Sequence, residues 1–273
     1  MCRKPAMAAT ALMLTFAFTG SPALAWGGKN TASAPSAQPP AQTPAPAPAA
    51  DGKQKASAQE RAAADRLDAL ARAAFWASQV NIDAKDAEAG VKMATALRQI
   101  GRYQEAWDAA QQVLTQHPDN VDALLESARV AVSDNQGFFA IAPAQKAMTL
   151  APKDWRAPSL LAVGYDQADQ PKAALKAHQQ AMALAPANPQ VLSNAAMFYA
   201  SQGDKASAET MLRKAAAMPG ATVQVRQNLA LVLGLQGKMA EAEQVERQVL
   251  PPAMVVNNLA YMQAAQPKPV ETN

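Results

Sequence analysis

The side chains best suited to chemistry in this sequence are its two histidines, His117 and His178, and its single cysteine, Cys2. The histidines are far apart along the chain, and no cysteine lies near either of them. A protein-bound zinc ion needs three or four converging ligands. We therefore predict no metal site and expect both histidines to pack at a surface or between helices.

Catalytic motifs are also missing from the sequence. No G-x-S-x-G nucleophile elbow, phosphate-binding glycine loop or H-E-x-x-H pair occurs. Sequence alone does not exclude a Ser–His–Asp triad, but no motif supports one. Neighbouring carboxylates such as Glu241 and Glu243 fall in a polar stretch typical of an exposed, solvated helix. We predict that the protein is not an enzyme and uses no cofactor.

The first 25 residues have the features of an export signal. A short basic start is followed by an apolar stretch at 6–20, and Ala23-Leu24-Ala25 has the small-x-small pattern that a signal peptidase recognises. We predict cleavage between Ala25 and Trp26 and a periplasmic protein. An uncleaved membrane anchor is the alternative, although the apolar run is shorter than the roughly 18–20 residues of a membrane span.

Cleavage would remove Cys2, Arg3 and Lys4. The remaining chain could form no internal disulfide in an oxidising compartment, so packing alone would hold it together. It would carry 23 basic and 22 acidic residues, because the full chain has 25 and 22. This balance, with no basic stripe interleaved with aromatic residues, disfavours a nucleic-acid partner.

Residues 26–56 form a segment rich in proline and alanine. Six prolines fall from Pro35 to Pro48, and residues 27–56 contain no large apolar side chain. Such a composition cannot bury enough apolar surface to fold alone, so we predict a disordered or polyproline-like linker. A plain spacer is the favoured role, and a docking motif is the alternative.

Helical periodicity begins at Ser57. No glycine or proline occurs from there until Gly90, and the apolar residues at the spacing of one helix face are Leu67, Leu70, Ala71, Ala74 and Phe75. We predict one helix over 57–80. This helix would cap the N-terminal end of the fold, within a capping segment at 57–86.

A pattern of 34 residues repeats from residue 87 onward. Pro118, Pro152 and Pro186 are each 34 residues from the next, and the residues before them read QQVLTQH, QKAMTLA and QQAMALA. Counting back from these prolines divides the chain into five blocks, which are 87–120, 121–154, 155–188, 189–222 and 223–252. A repeat of this length is typical of stacked supersecondary units.

Small side chains occupy fixed positions in the blocks. Alanine stands at positions eight and twenty of every block, and position fifteen is glycine in three blocks, asparagine in one and aspartate in one. Position twenty-seven is alanine or valine in all five. The residues to which we assign a structural role are Ala94, Ala106, Ala128, Ala140, Ala162, Ala174, Ala196, Ala208, Ala230, Ala242, Gly101, Gly203 and Gly237.

These positions predict an all-α fold. Glycine at position fifteen allows the positive φ that ends a first helix, helix A, and proline near position thirty-two ends a second, helix B. The alanines let the two helices of a pair approach closely, and each pair buries its apolar face only by stacking on the next. We predict an α-solenoid, a right-handed superhelix of antiparallel helix pairs.

Prolines mark the irregular parts of the pattern. The fifth block ends early at Pro251-Pro252, and 253–266 then repeats the start of helix A as a predicted C-terminal capping helix, followed by a tail at 267–273. Pro143 falls inside an expected helix B, where it must delay the start of the helix or kink it, at about 3 kcal/mol if the helix runs through. Pro171 stands in a first turn, where proline is tolerated.

The repeat resembles the tetratricopeptide repeat (TPR). GRYQEAWDAA and GKMAEAEQVE match the G-[RK]-x-x-E-A pattern of that family, and Leu161-Ala162-x-x-Tyr165 and Ala195-Ala196-x-x-Tyr199 fit its helix A. The resemblance covers roughly 60–265 and implies a concave groove, lined by the A helices, that binds a protein segment. The residues implied to bind a partner are Arg98, Gln99, Leu125, Arg129, Val132, Val163, Asp166, Gln167, Met197, Gln224 and Leu231, flanked by Asn194 and Asn228.

Two features of this implied groove qualify its role. In an alternative of equal weight, Asn194 and Asn228 bind no partner and only form hydrogen bonds between neighbouring helices. Ser159 and Val163 stand where the carboxylate clamp of some TPR domains has lysine and asparagine. Recognition of a chaperone tail is therefore disfavoured.

A narrower resemblance covers about 73–264. AAFWASQVNIDAKDAEAGVKMATALRQIGRYQEA and VRQNLALVLGLQGKMAEAEQVERQVLPPAMVVNNLAYMQA resemble the TadD family of the Flp/Tad (tight adherence) pilus apparatus. The resemblance implies an exported scaffold for assembly of a type IV-like pilus or its secretion channel, with a subunit of that apparatus as partner. Members are often lipoproteins, but no cysteine follows the apolar run here, so a soluble periplasmic form is expected, associated with the outer membrane through partners. A general cell-envelope scaffold is the alternative.

Overall fold

The computed structural model describes residues 54–266, and all regular structure in this range is helical. The predicted signal peptide with its cleavage point, nearly all of the proline-rich segment and the tail at 267–273 lie outside the described residues. None of the helices within the range combines the length and hydropathy that a bilayer crossing requires. The helices are, in order, α1 (Ala58–Ala64), α2 (Ala69–Ile82), α3 (Ala87–Gln99), α4 (Tyr103–Gln116), α5 (Val121–Ser133), α6 (Gly137–Leu150), α7 (Arg156–Gln167), α8 (Pro171–Leu184), α9 (Pro189–Ser201), α10 (Lys205–Ala216), α11 (Val223–Leu235), α12 (Met239–Arg247) and α13 (Pro252–Ala264).

Five helix pairs follow the five blocks of the sequence repeat. Helix A of successive pairs is α3, α5, α7, α9 and α11, and helix B is α4, α6, α8, α10 and α12. Every helix B begins at position seventeen of its block, and every helix A begins at position one or two. The predicted all-α solenoid is confirmed.

The turn between helix A and helix B has the same backbone conformation in all five pairs. The residue at position fifteen has a positive φ each time, which is 79° at Gly101, 57° at Asn135, 55° at Asp169, 90° at Gly203 and 81° at Gly237. In each turn, the backbone N–H of position sixteen donates a hydrogen bond of 2.8–3.0 Å to the backbone carbonyl oxygen of position eleven. This bond satisfies a carbonyl at the end of helix A, and glycine, asparagine and aspartate adopt positive φ most readily.

Close helix packing follows from the alanines at positions eight and twenty. All ten are completely buried, and so are Ala147, Ala181 and Ala215 at position twenty-seven. A methyl side chain at these points lets the backbones approach closely, and a larger one would force them apart. The pairs are therefore held by thin, tightly packed layers of small side chains.

The stack curves with the A helices inside. Each helix A packs against the next helix A, and α13 continues this series after α11. Consecutive B helices of residues 54–266 bring no Cα atoms within 8 Å of each other. Because successive A helices lie closer together than successive B helices, the A helices line the concave face and the B helices line the convex face.

The N-terminal cap is a helical hairpin, whereas the periodicity predicted a single helix over 57–80. The hairpin turn lies between α1 and α2, and the Asp68 carboxylate accepts a 2.9 Å hydrogen bond from the N–H of Ala71. An aspartate at this N-cap position satisfies free N–H groups and starts the second helix. Leu70, which the sequence placed on the apolar face, is 64% exposed.

This hairpin buries Trp76 and packs against α3 through α2. The guanidinium of Arg61 and the ammonium of Lys92 lie 5.6 and 5.1 Å from the centre of the Trp76 ring. Arg61 also forms ion pairs with Asp86 and Glu88 at the start of α3. These contacts tie α1 to α3 and seal one end of the solenoid.

Pro143 lies inside α6, so of the two expected effects, a delayed start or a kink, the delay does not occur. α6 begins at Gly137, at the same block position as the other B helices. Tertiary packing outweighs the local cost, because Ala140, Ala144 and Ala147 are all completely buried along this helix. Gly137 contributes further, since a Cβ there would lie only 2.4 Å from the Cβ of Gln167. Pro171 occupies the first turn of α8, where proline costs little.

The C-terminal end is closed by α13, which packs against α11 and α12. Asn258 of this helix is buried and donates a 2.8 Å hydrogen bond to Oε1 of Glu246 on α12. Burial raises the pKa of the Glu246 carboxyl, and this hydrogen bond only partly opposes the shift.

Candidate partner-binding groove

The concave face of α3, α5, α7, α9 and α11 forms a continuous surface, which we call the groove. The predicted groove residues with side chains at least partly accessible to solvent are Arg98, Gln99, Arg129, Val132, Asp166, Gln167, Asn194, Met197, Gln224, Asn228 and Leu231. They come from all five A helices. The groove therefore has contributions from every repeat.

Two predicted groove residues are not available to a partner. Leu125 is 1% exposed and packs with Leu124, Ala147 and Ala157, and Val163 is 8% exposed. Position five, which Leu125 occupies, faces the adjacent helix A, because Ser193 at the same position is also buried. These side chains hold the stack together and do not line its open face.

A buried carboxylate organises the N-terminal part of the groove. Glu126 on α5 is 1% exposed and lies between two arginines. Its Oε1 is 2.6 Å from Nε of Arg98 on α3, and its Oε2 is 2.6 Å from Nη1 of Arg129. A charge this deeply buried is tolerated only when it is paired. The cluster keeps one surplus positive charge, on the groove side of the first two repeats.

Sequence reasoning missed Glu126, although a signal was present. The residue stands at position six of its block, the position that Asn194 and Asn228 occupy in later blocks. Glu126 is next to Leu125, which is buried, and arginines stand three residues later and in the preceding block. A charged residue in this setting could have suggested a buried ion pair.

Arg156 adds a second ion-pair cluster that the sequence did not reveal. Its guanidinium lies 2.6 Å from Asp154 and 3.2 Å from Asp122, which stands one repeat earlier. One arginine faces two aspartates, so this cluster carries one surplus negative charge at the start of α7. The positive charges in this part of the groove are those of Arg98 and Arg129.

Amides replace charges in the C-terminal part of the groove. Nδ2 of Asn194 on α9 donates to Oγ of Ser159 on α7 over 3.1 Å. One repeat later Asn228 on α11 makes the same bond to Ser193 over 2.9 Å. The two asparagines thus bond neighbouring A helices, as one of the two alternatives expected, while remaining partly exposed.

Glutamines extend this pattern toward the open face. Nε2 of Gln190 donates to Oδ1 of Asn194, and Gln224 makes the same contact with Asn228, both over 2.9 Å. Met197 and Leu231 add partly buried apolar side chains from position nine of the same helices. This half of the groove offers neutral hydrogen-bonding groups beside apolar contacts.

Asp166 is the titratable group of the groove whose environment is most unusual. Burial, reinforced by the nearby charge of Asp169, raises the pKa of its carboxyl from 3.8 to about 6. The charged form that predominates at neutral pH is therefore held in an environment that disfavours it.

The two histidines occupy separate environments. His117 is exposed, with Nε2 3.0 Å from the carbonyl oxygen of Lys85. His178 is buried against Phe198 with ring centres 5.1 Å apart, and burial lowers the pKa of its imidazole to about 4. Within residues 54–266 no three His, Cys, Asp or Glu side chains are grouped as metal ligands would be.

The neighbouring carboxylates Glu241 and Glu243 form surface ion pairs. Each lies 2.5 Å from an arginine, Arg213 for the first and Arg247 for the second. Such pairs contribute little to stability and have no catalytic arrangement.

Comparison with known proteins finds a known type of repeat in two parts of the chain. Family models of the tetratricopeptide repeat match residues 87–130 and 190–218. No curated protein sequence matches the chain.

Solved structures resemble the fold. A tetratricopeptide repeat protein from Parabacteroides merdae has a TM-score of 0.62 at 14% identity, over 76% of this chain and 86% of its own. A thermophilic TPR protein from Thermus thermophilus has a TM-score of 0.58 at 19% identity, over 65% of this chain and 99% of its own. At these identities the likeness concerns the fold, which is a TPR α-solenoid.

Proposed function

We propose that this TPR solenoid is a non-catalytic periplasmic adaptor that holds a segment of a partner protein in its groove. The observation that carries the proposal is the composition of the concave face. Arg129, the amides of Gln190 and Gln224, and the apolar side chains of Met197 and Leu231 present charge, hydrogen-bonding groups and apolar surface on one continuous wall. A mixture of this kind suits a peptide or a helix.

The size of the groove is consistent with a linear partner segment. Packed helices lie about 8–10 Å apart, so the five A helices span roughly 30–40 Å. An extended segment of about ten to twelve residues covers that length at ~3.3 Å per residue. This span is sufficient for sequence-specific recognition without a deep pocket.

We further propose that the partner belongs to a Flp/Tad type IV-like pilus or its secretion channel. This part of the proposal rests on the sequence resemblance over about 73–264 and on the export signal predicted at residues 1–25. The second candidate is a general cell-envelope scaffold, for example for cell-wall synthesis enzymes. Neighbouring genes that encode pilus components would favour the first candidate, and wall-synthesis genes would favour the second.

Deletion of the gene tests the pilus proposal. The expected result is loss of surface pili while the pilin subunit remains in the cell, because the apparatus is not assembled. Complementation with the wild-type gene should restore piliation. Normal piliation of the deletion strain would overturn the pilus proposal and leave the envelope scaffold.

A pull-down from the periplasm tests groove binding separately. Arg129→Gln removes a groove charge but keeps a hydrogen-bond donor for Glu126. Arg102→Gln is a matched control, because Arg102 is exposed at the start of α4 and, among residues 54–266, pairs with Glu105 in the first turn of that helix. Partners that copurify with the wild type and the control but are reduced with Arg129→Gln would support the proposal. Equal recovery with all three proteins would count against the groove.

A further inference from the structure

We infer that Asp166 forms a subsite that takes a lysine or arginine side chain of the bound partner segment. The inference rests on the proposed function, since it concerns the same groove, and it adds the chemistry of one position in the partner. It starts from a carboxylate that has no partner of its own.

Asp166 is the exception among the partly or fully buried acidic residues of 54–266. Its side-chain carboxylate accepts no hydrogen bond from, and forms no ion pair with, any described residue. Every other acidic side chain of that range that is not fully exposed has a cation or a side-chain amide as its partner. Those side chains are Asp83 with Lys55, Asp86 with Arg61, Glu126 with Arg98 and Arg129, Asp134 with Gln136, Asp154 with Arg156, Glu209 with Arg213 and Lys238, Glu243 with Arg247, and Glu246 with Asn258.

The surroundings of Asp166 offer it no internal cation. It lies on α7 at position twelve of its block, and the same position holds Val132 in the preceding repeat and Ala200 in the following one. One turn further along its own chain is Asp169, whose negative charge adds to the field at Asp166. Within residues 54–266, therefore, nothing supplies the positive charge that this carboxylate lacks.

Little side-chain bulk is present at the equivalent positions of the flanking repeats. Position twelve holds Val132 and Ala200, and position thirteen holds Ser133 and Ser201. Met197, at position nine of α9, is partly exposed in the next repeat. Lysine and arginine side chains commonly lay their aliphatic stems on apolar surface while the charged end reaches a polar group. A basic side chain of the partner can use Met197 and Asp166 in this way.

Pairing at this site would favour binding for a specific reason. The carboxylate already lies in a partly desolvated position, which raises its pKa to about 6. A cation that arrives with the partner would stabilise the charged form without a large new desolvation cost on the protein side. A neutral residue at that position of the partner would cover the carboxylate without supplying a positive charge.

Selection from a random twelve-residue peptide library displayed on phage tests the inference with the purified full chain. Peptides that bind wild type are expected to carry lysine or arginine at one shared position. Synthetic versions with glutamine at that position should bind wild type at least tenfold more weakly. The same replacement should change binding to Asp166→Asn by less than twofold, because the variant lacks the charge.

Asp169→Asn is the matched control, since it removes the neighbouring charge at the A–B turn and keeps a residue that tolerates positive φ. It should retain the preference for the basic peptides. Peptides that lose binding with Arg129→Gln or with Met197→Gln but show no shared basic residue would overturn this inference and keep the proposed function. A library that yields no groove-dependent binder at all would overturn both.

Discussion

The side chain of Asn228 on α11 donates a 2.9 Å hydrogen bond to the hydroxyl of Ser193 on α9. The same contact, between Asn194 and Ser159, occurs one repeat earlier. Successive A helices in the C-terminal half are therefore joined by equivalent polar bonds between position six and position five. These bonds fix the spacing of the helices that form the groove wall.

Removal of this bond is expected to destabilise the solenoid locally. Asn228→Ala leaves the buried Ser193 hydroxyl without its partner, which should lower the free energy of unfolding by about 1–2 kcal/mol. Ser193→Ala should have a similar effect, and the double variant should lose less than the sum, because both changes remove one interaction. Urea unfolding followed by circular dichroism measures this, with Gln179→Ala on α8 as an exposed control. Strict additivity would show that the two side chains do not interact.

The regular part of this fold was predictable because its determinants are local. Positive φ at position fifteen depends on the residue itself, and Gly101, Asn135 and Asp169 are among the few residue types that adopt it readily. Alanines that recur at a fixed interval reveal where backbones approach, whatever the details of the packing. The helix pairs and their close contacts could thus be assigned from the repeat.

The irregular parts depended on packing that sequence periodicity does not report. The break before Asp68 lies inside an apolar pattern that one helix would also satisfy. Helix α6 continues through Pro143 because buried alanines on both sides hold it in place. In the groove, the burial of Leu125 and the pairing of Glu126 are set by the neighbouring A helices, which a rule based on block position does not describe.

Glu126 provides a prediction about the charged end of the groove. Glu126→Leu would leave Arg98 and Arg129 without their shared carboxylate in a partly buried setting, at a cost of about 3 kcal/mol in unfolding free energy. Glu105→Leu is the control, because the Glu105–Arg102 pair is exposed and should contribute less than about 1 kcal/mol. Both are measured by denaturant unfolding. Equal effects of the two substitutions would show that burial does not strengthen the Glu126 cluster.

Asp166 provides a prediction about pH. Its folded-state pKa of about 6 exceeds the ordinary 3.8, so folding favours the protonated carboxyl. Its contribution to stability is fully present below about pH 4 and is lost as pH rises to 6 and above. At pH 7.5 the free energy of unfolding of Asp166→Asn should therefore exceed that of wild type by roughly 1–2 kcal/mol. This value is already reduced to allow for solvent screening of the partly exposed carboxylate.

At pH 4 the same two proteins should be equally stable. The difference between them isolates Asp166, because titration of His178 and Glu246 cancels in the comparison. Thermal and urea unfolding over pH 4–8 measure it. A difference that is independent of pH would mean that the Asp166 carboxyl titrates normally.

Ala174 tests the packing within the third helix pair. Ala174→Leu places a larger side chain where the methyl group is completely buried, so overpacking should cost about 1–3 kcal/mol. Gln179→Leu, an exposed position on the same helix α8, should be nearly silent. Thermal unfolding of both variants compares them directly. An unchanged melt for Ala174→Leu would contradict the close approach of α7 and α8.

The proposed function requires that the concave wall, and not the convex one, receives the partner. A photo-crosslinking amino acid at Gln224, exposed on helix A, is compared in cells with the same residue at Gln179, exposed on helix B. We expect a discrete crosslinked partner at Gln224 that is absent at Gln179 and is reduced by Arg129→Gln. Crosslinks at Gln179 with none at Gln224 would contradict it.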